Sequence, residues 1–241
     1  MNSAPSQSST PHDTTRLRVW DLPTRVFHWL LLVLVIALII TGHEGGNAMT
    51  WHARCGYGVF TLLLFRLVWG LVGGYHSRFV HFIPSLSTLR SALTRALHGP
   101  HRVSIGHNPI GALSVVALLM VLGVQVASGL VSDDEIAFSG PLSAQVSASW
   151  VSLATWYHKE VGKRLLIGLV LLHVLAIVYY RRRHGERLVT AMVLGDKTVN
   201  IDPDVPTPAS RDGLRERLLA LGCLVVCGLI VNAVVQWGSG A

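Results

Sequence analysis

Charge is what this chain has least of: Asp, Glu, Lys and Arg make up 14% of its 241 residues, while 51% are hydrophobic. Soluble domains carry about 25% charged residues, and here the apolar residues also come in long blocks, which excludes an ordinary soluble domain. Carboxylates are the scarcer sign, 13 Asp and Glu against 20 Lys and Arg. Almost none of them lies inside an apolar block, so a carboxylate-lined proton path has few residues to build on. Cysteine is nearly absent too. Cys55 stands alone, Cys223 and Cys227 are four residues apart, and no C-x-x-C-H run occurs, so zinc sites, covalent haem attachment and a disulfide framework all lack their residues. The net charge of +7 does not mark a nucleic-acid binder, because Lys and Arg cluster beside the apolar blocks, as they do in the inner loops of membrane proteins.

What is there reads as an all-α integral membrane protein. Residues 1–15 are rich in Ser, Thr, Pro and Gln and read as a disordered tail. Arg16, Arg18 and Arg25 precede an apolar run from Val26 to Gly42, read as an uncleaved first span with its N-terminus inside. The second runs from His52 to about Gly74, where Gly70 and Gly74 form a small-xxx-small pair suited to a close helix approach. Between Ser77 and Gly106 the chain is polar and basic. Leu86, Leu89, Leu93 and Leu97 recur there at helical spacing, the pattern of an amphipathic helix lying on the inner leaflet, and His81, His98, His101 and His107 read as solvated loop residues. Asn108 and Pro109 open a third span that ends at Val131; a fourth runs from Trp156 to Arg183. A polar, Pro-rich linker leads to a fifth, from about Leu218 to Trp237, whose Cys223 and Cys227 share a face without paired ligands, so it reads as a packing or anchoring helix. Basic residues beside the odd-numbered starts and even-numbered ends place the N-terminus in the cytoplasm and the C-terminus in the periplasm.

Histidines inside spans are costly and call for a function. His158 and His173, both on the fourth span, are 173 − 158 = 15 residues apart, about 22 Å of rise and about 60° of rotation on a regular helix. His28 sits near the inner end of the first span and His52 at the outer start of the second, so the topology sorts four histidines into an inner pair, His28 and His173, and an outer pair, His52 and His158. A zinc site wants about four ligands at one level, whereas haem iron needs only two axial ligands beyond its porphyrin nitrogens. Two b haems, each between two histidines, use all four residues and favour electron transfer over oxygen binding. His43 is also fifteen residues from His28 and competes with His52 for the outer site; it lies in a Gly-rich exit next to Glu44. Arg66, near the inner end of the second span, needs an anionic partner that a haem propionate would supply, and Arg54, Lys163 and Arg164 could serve the outer haem or reach to headgroups instead.

The segments WDLPTRVFHWLLLVLVIALIITG, WHARCGYGVFTLLLFRLVWG, GHNPIGALSVVALLMVLGVQVASGL and HKEVGKRLLIGLVLLHVLAIVYY, followed by RLVTAMVLGDK, resemble the bacterial cytochrome b561 and nickel-iron-hydrogenase b-type cytochrome family. The resemblance implies a four-helix haem-binding core over residues 16–198, with a linker at 199–212 and an additional helix at 213–241. It implies ligands on helices one, two and four, which fall on His28, His52, His158 and His173; His52 has the H-x-x-x-G context that matches. It further implies electron exchange between the quinone pool of the bacterial inner membrane and a redox partner, such as a periplasmic c-type cytochrome or another redox subunit, in the manner of a quinone oxidoreductase subunit. The rival reading is a haem-free membrane anchor or a small proton-conducting transporter.

Overall fold

The computed structural model describes residues 14–98, 105–136, 138–200 and 208–240. The tail expected over residues 1–13 and the middle of the linker, 201–207, lie outside them. Five helices are long and apolar enough to cross a membrane: α1 (Leu22–Glu44), α2 (Met49–Val72), α5 (Pro109–Val131), a continuous run over Ala148–His184, and α9 (Leu214–Ser239). The fourth is built from α6 (Ala148–Trp156), a π-helical turn (Tyr157–Gly162) and α7 (Lys163–His184), and begins 156 − 148 = 8 residues before Trp156, where the sequence places its start. Short α3 (Phe79–Phe82) and amphipathic α4 (Leu86–His98) connect α2 to α5, and α8 (Leu188–Leu194) follows α7.

Local chemistry sets the helix ends. Asp21 caps α1 by accepting the Thr24 N–H at 2.8 Å, with Pro23 in the first turn, and Asn108 caps α5 by accepting from Gly111 N–H at 2.6 Å. The turn from α1 to α2 uses Gly45 and Gly46 at φ of 65° and 52°, values that a side chain disfavours.

Helices α1, α2, α5 and α7 share an interior in which Val35, Val59, Leu63, Leu122 and Leu166 are buried together. A second cluster joins α9 to α1 and α2: Phe27, Leu62, Phe65 and Trp69 meet Ala220 and Cys227, so the fifth helix packs through its cysteine face onto the bundle. Outward, Val33, Ile36, Ile40, Leu171, Leu175, Leu221 and Leu229 are exposed, as befits surfaces whose solvent is hydrocarbon.

One end of the bundle carries a cap. Strand β1 (Thr14–Arg18) pairs antiparallel with β2 (Asp196–Asn200), so Thr14 and Thr15, assigned from sequence to the tail, are strand residues. Ser210 donates its N–H to Arg18 O at 2.8 Å and its hydroxyl to Val19 O at 2.7 Å, while Asp212 accepts from Leu22 N–H and faces Arg18, Arg25 and Arg217. The linker's far end is therefore docked. At the opposite end, Gly238 of α9 packs against Pro141 in the loop after α5. Of the small-xxx-small pair, Gly70 makes room on α2 for the Phe79 ring of short α3, and Gly74, two residues past the end of α2, sits against Asp21 and donates its N–H to that carboxylate at 3.1 Å.

Candidate functional site

At the end away from the cap, α1, α2, α5 and the π turn enclose a cavity of about 660 Å³. His52 enters from the start of α2 and His158 from the π turn, with ring centroids 6.1 Å apart and planes at 82°. With metal–imidazole bonds of about 2 Å and about 1 Å more from nitrogen to ring centre, two imidazoles on opposite sides of one metal have centroids about 6 Å apart. The pair has that spacing. The cavity volume falls within the range of about 300–1,000 Å³ usual for cofactor sites.

Glycines shape the rest. A Cβ on Gly42 would lie 3.0 Å from the His52 ring, and one on Gly129 2.8 Å from the His158 ring, so a side chain at either glycine would crowd the imidazole it backs. Gly56, one turn beyond His52, lines the cavity and faces open space. The H-x-x-x-G context points to Gly56 alone; Gly42 and Gly129 carry a fainter mark in the sequence, a glycine inside an apolar helix at a cost of about 1 kcal/mol against alanine. Helix α5, without a histidine, nonetheless orients one. The His158 Nδ1–H donates to the Gln125 carbonyl at 2.9 Å, which fixes the proton on Nδ1 and leaves Nε2 unprotonated for a ligand. His43 is exposed at the cavity rim. Of the cations considered for this end, Lys163 lines the cavity and is joined by Lys159, whereas Arg164 pairs with Glu160 at 2.6 Å and Arg54 stacks over Trp51. In the loop at the rim, Asp133 has its acidity raised by the Ser139 hydroxyl and the Glu135 N–H.

The capped half of the bundle holds His28 on α1 and His173 on α7. The His28 Nδ1 is buried without a hydrogen-bond partner among the described residues. Arg66, also at this end, is 3% exposed; it donates to Ser77 O at 2.9 Å and lies over Phe79 and Phe82, 4.8 and 5.6 Å from the ring centres. The fully buried Asp21 carboxylate acts on it electrostatically and is bound by the Trp69 Nε1–H at 3.2 Å and the Ser77 hydroxyl at 2.8 Å, besides the two backbone N–H groups already described.

His107 is not the solvated loop residue that the sequence suggested. Its ring packs on Trp20 and Phe82, each with centroids at 4.7 Å, and its Nδ1 is sealed off, because the loop folds back under α1. Burial, reinforced by Arg66, pushes its pKa down to about 3.

The model of the family described as prokaryotic cytochrome b561 matches residues 19–195, which span all four histidines. The chain belongs to the prokaryotic cytochrome b561 family. Its relatives include proteins named "Probable Ni/Fe-hydrogenase B-type cytochrome subunit" from Azotobacter vinelandii, 26% identical over 75% of this chain and 88% of the relative, and from Bradyrhizobium diazoefficiens, 24% identical over 74% and 85%. A third, from Cupriavidus necator, is 22% identical over 75% of this chain and 86% of its own. No solved structure matches the chain. As a cytochrome b561 it is a multi-pass membrane protein with haem b that serves electron transfer, and this sets aside the haem-free anchor and transporter. Its fifth helix, α9, lies beyond the matched residues.

Proposed function

We propose that this cytochrome b561 carries two b haems, one between His52 and His158 and one between His28 and His173, and conducts electrons from one side of the bundle to the other. The facing of His52 and His158 at 6.1 Å across a glycine-lined cavity carries the reading. Bound between two imidazoles, each haem would supply a one-electron couple with no open position on iron. The chain's contribution is to hold the four imidazoles at two depths on rigid helices, to offer Lys159 and Lys163 as partners for carboxylates at the outer cavity, and to place the Arg66 charge near the inner pair.

The electrons pass between a membrane quinone and a redox partner. A quinone is dissolved in the bilayer and reaches such a bundle sideways, and the names of the relatives favour a hydrogenase over a c-type cytochrome as partner. Arg16, Arg18, Arg25, Arg182 and Arg183 belong to the capped end, which supports an inner-membrane orientation with the cap in the cytoplasm and the C-terminus in the periplasm. The test is a pyridine haemochrome count with a reduced-minus-oxidised spectrum on the purified chain. Two b haems per chain are expected; one haem, or haem retained in full after His158→Ala, overturns the assignment.

A further inference from the structure

The fourth span is regular on both sides of Tyr157–Gly162 and π-helical within it. A π turn accommodates one inserted residue, shifting the phase of everything after it by about 100°; the offset between His158 and His173 changes from about 60° in one sense to about 40° in the other. The turn therefore decides which side of the helix His158 presents relative to His173. It also departs from the regular i→i+4 ladder, and is held more firmly by an added donor to one of its carbonyls.

Gln125 supplies that donor. Its side-chain Nε2–H donates to the His158 backbone carbonyl at 3.0 Å, while its own backbone carbonyl accepts from the His158 Nδ1–H at 2.9 Å. Ser128, whose hydroxyl donates to the same Gln125 carbonyl at 3.0 Å, stands 3.3 Å from that Nδ1. Gly162, the last residue of the π turn, lies directly against the Gln125 side chain, where any Cβ would collide with its amide oxygen. Main chain and imidazole of one residue are thus gripped by the two ends of another.

We infer that Gln125 is the positioning residue of the outer haem site, its side-chain amide holding the π turn in the geometry that aims His158 at His52. This rests on His158 being a haem ligand. Gln125→Met keeps the length of the side chain and removes the donor, and Gln125→Leu also shortens it.

In the full-length holoprotein, Gln125→Met should shift the low-spin electron paramagnetic resonance signal of the outer haem, leave that of the inner haem in place, and speed transfer of the outer haem to apomyoglobin about tenfold, the worth of one buried hydrogen bond. Gln125→Leu should do the same or lose the outer haem alone. If Leu proves unable to fold, the Met variant decides. An outer signal and a haem-loss rate unchanged in Gln125→Met, in a protein where His158→Ala abolishes that signal, overturn the inference and leave the haem assignment standing. A signal that survives His158→Ala removes the assignment on which the inference rests.

Discussion

The rings of His52 and His158 face one another with their planes at 82°, each backed by a glycine from a different helix, Gly42 of α1 and Gly129 of α5. Four separate elements thus fix the relative rotation of two imidazoles. Axial ring planes orient the iron d orbitals, so this angle is a spectroscopic quantity.

A haem held as proposed between His52 and His158 would have near-perpendicular imidazoles, which leave two iron d orbitals almost degenerate. The oxidised protein should then give a large-gmax, strongly anisotropic low-spin signal that His158→Ala removes. Frozen-solution electron paramagnetic resonance at liquid-helium temperature checks this; a purely rhombic spectrum of the parallel-ring type would count against a haem held at this ring angle.

His43 and His52 separate by substitution. His52 points into the cavity against Gly42, whereas His43 is exposed at its rim. His52→Ala should remove one haem per chain and leave the other low-spin, and His43→Ala should keep both. Haem quantitation on the two variants tells them apart, and the reverse pattern would exchange their roles.

Removing the Arg66 guanidinium leaves a buried carbonyl without its donor. In Arg66→Leu the Ser77 carbonyl loses its hydrogen bond and the Phe79 and Phe82 rings lose the cation over them, a change of about 1–3 kcal/mol. With the proposed haem between His28 and His173, its midpoint potential should fall as well, since a lost positive charge favours the oxidised iron. Thermal unfolding and a redox titration report the two effects separately, and Arg66→Lys should keep more of the potential than of the stability.

His107 makes stability depend on pH. Its folded pKa of about 3 lies below the ordinary histidine value of about 6.5, so below pH 6.5 the unfolded chain takes up a proton that the folded one refuses. Its contribution is complete above that pH and is lost as pH falls from about 6.5 towards 3, by up to about 1.4 kcal/mol per pH unit. His107→Phe, which suits the space between Trp20 and Phe82, should flatten the dependence of the unfolding temperature on pH over this window.

Much of this was legible in the sequence because hydrocarbon imposes a simple rule on length and polarity. The third span runs from Pro109 to Val131 as its capping residues and apolar run imply, and α4 forms where its leucines recur. The pairing of His52 with His158 followed from counting depth between arginine-marked ends. The π turn could not be read this way, since it falls in the polar start YHKEVG of the span, where one extra residue breaks no apolar periodicity and lengthens the helix by only about 1.5 Å. Nor could the burial of His107 or the partner of Arg66, which depend on a loop folding back to present Ser77, Phe79 and Phe82; contacts of that kind leave no periodicity. The strand pair was hidden for the same reason, since TTRLR and DKTVN are polar, short and far apart in the chain.

That distance has a consequence for assembly. Thr14–Arg18 leaves the ribosome early, yet its pairing partner, Asp196–Asn200, is made only after the fourth helix, and Asp212, which faces Arg18 and Arg25, later still. The first strand must wait, unpaired, while four helices insert. Closure of the cap is therefore a late event that follows the first four helices and precedes the fifth, and a chain cut short before residue 196 leaves an open strand edge.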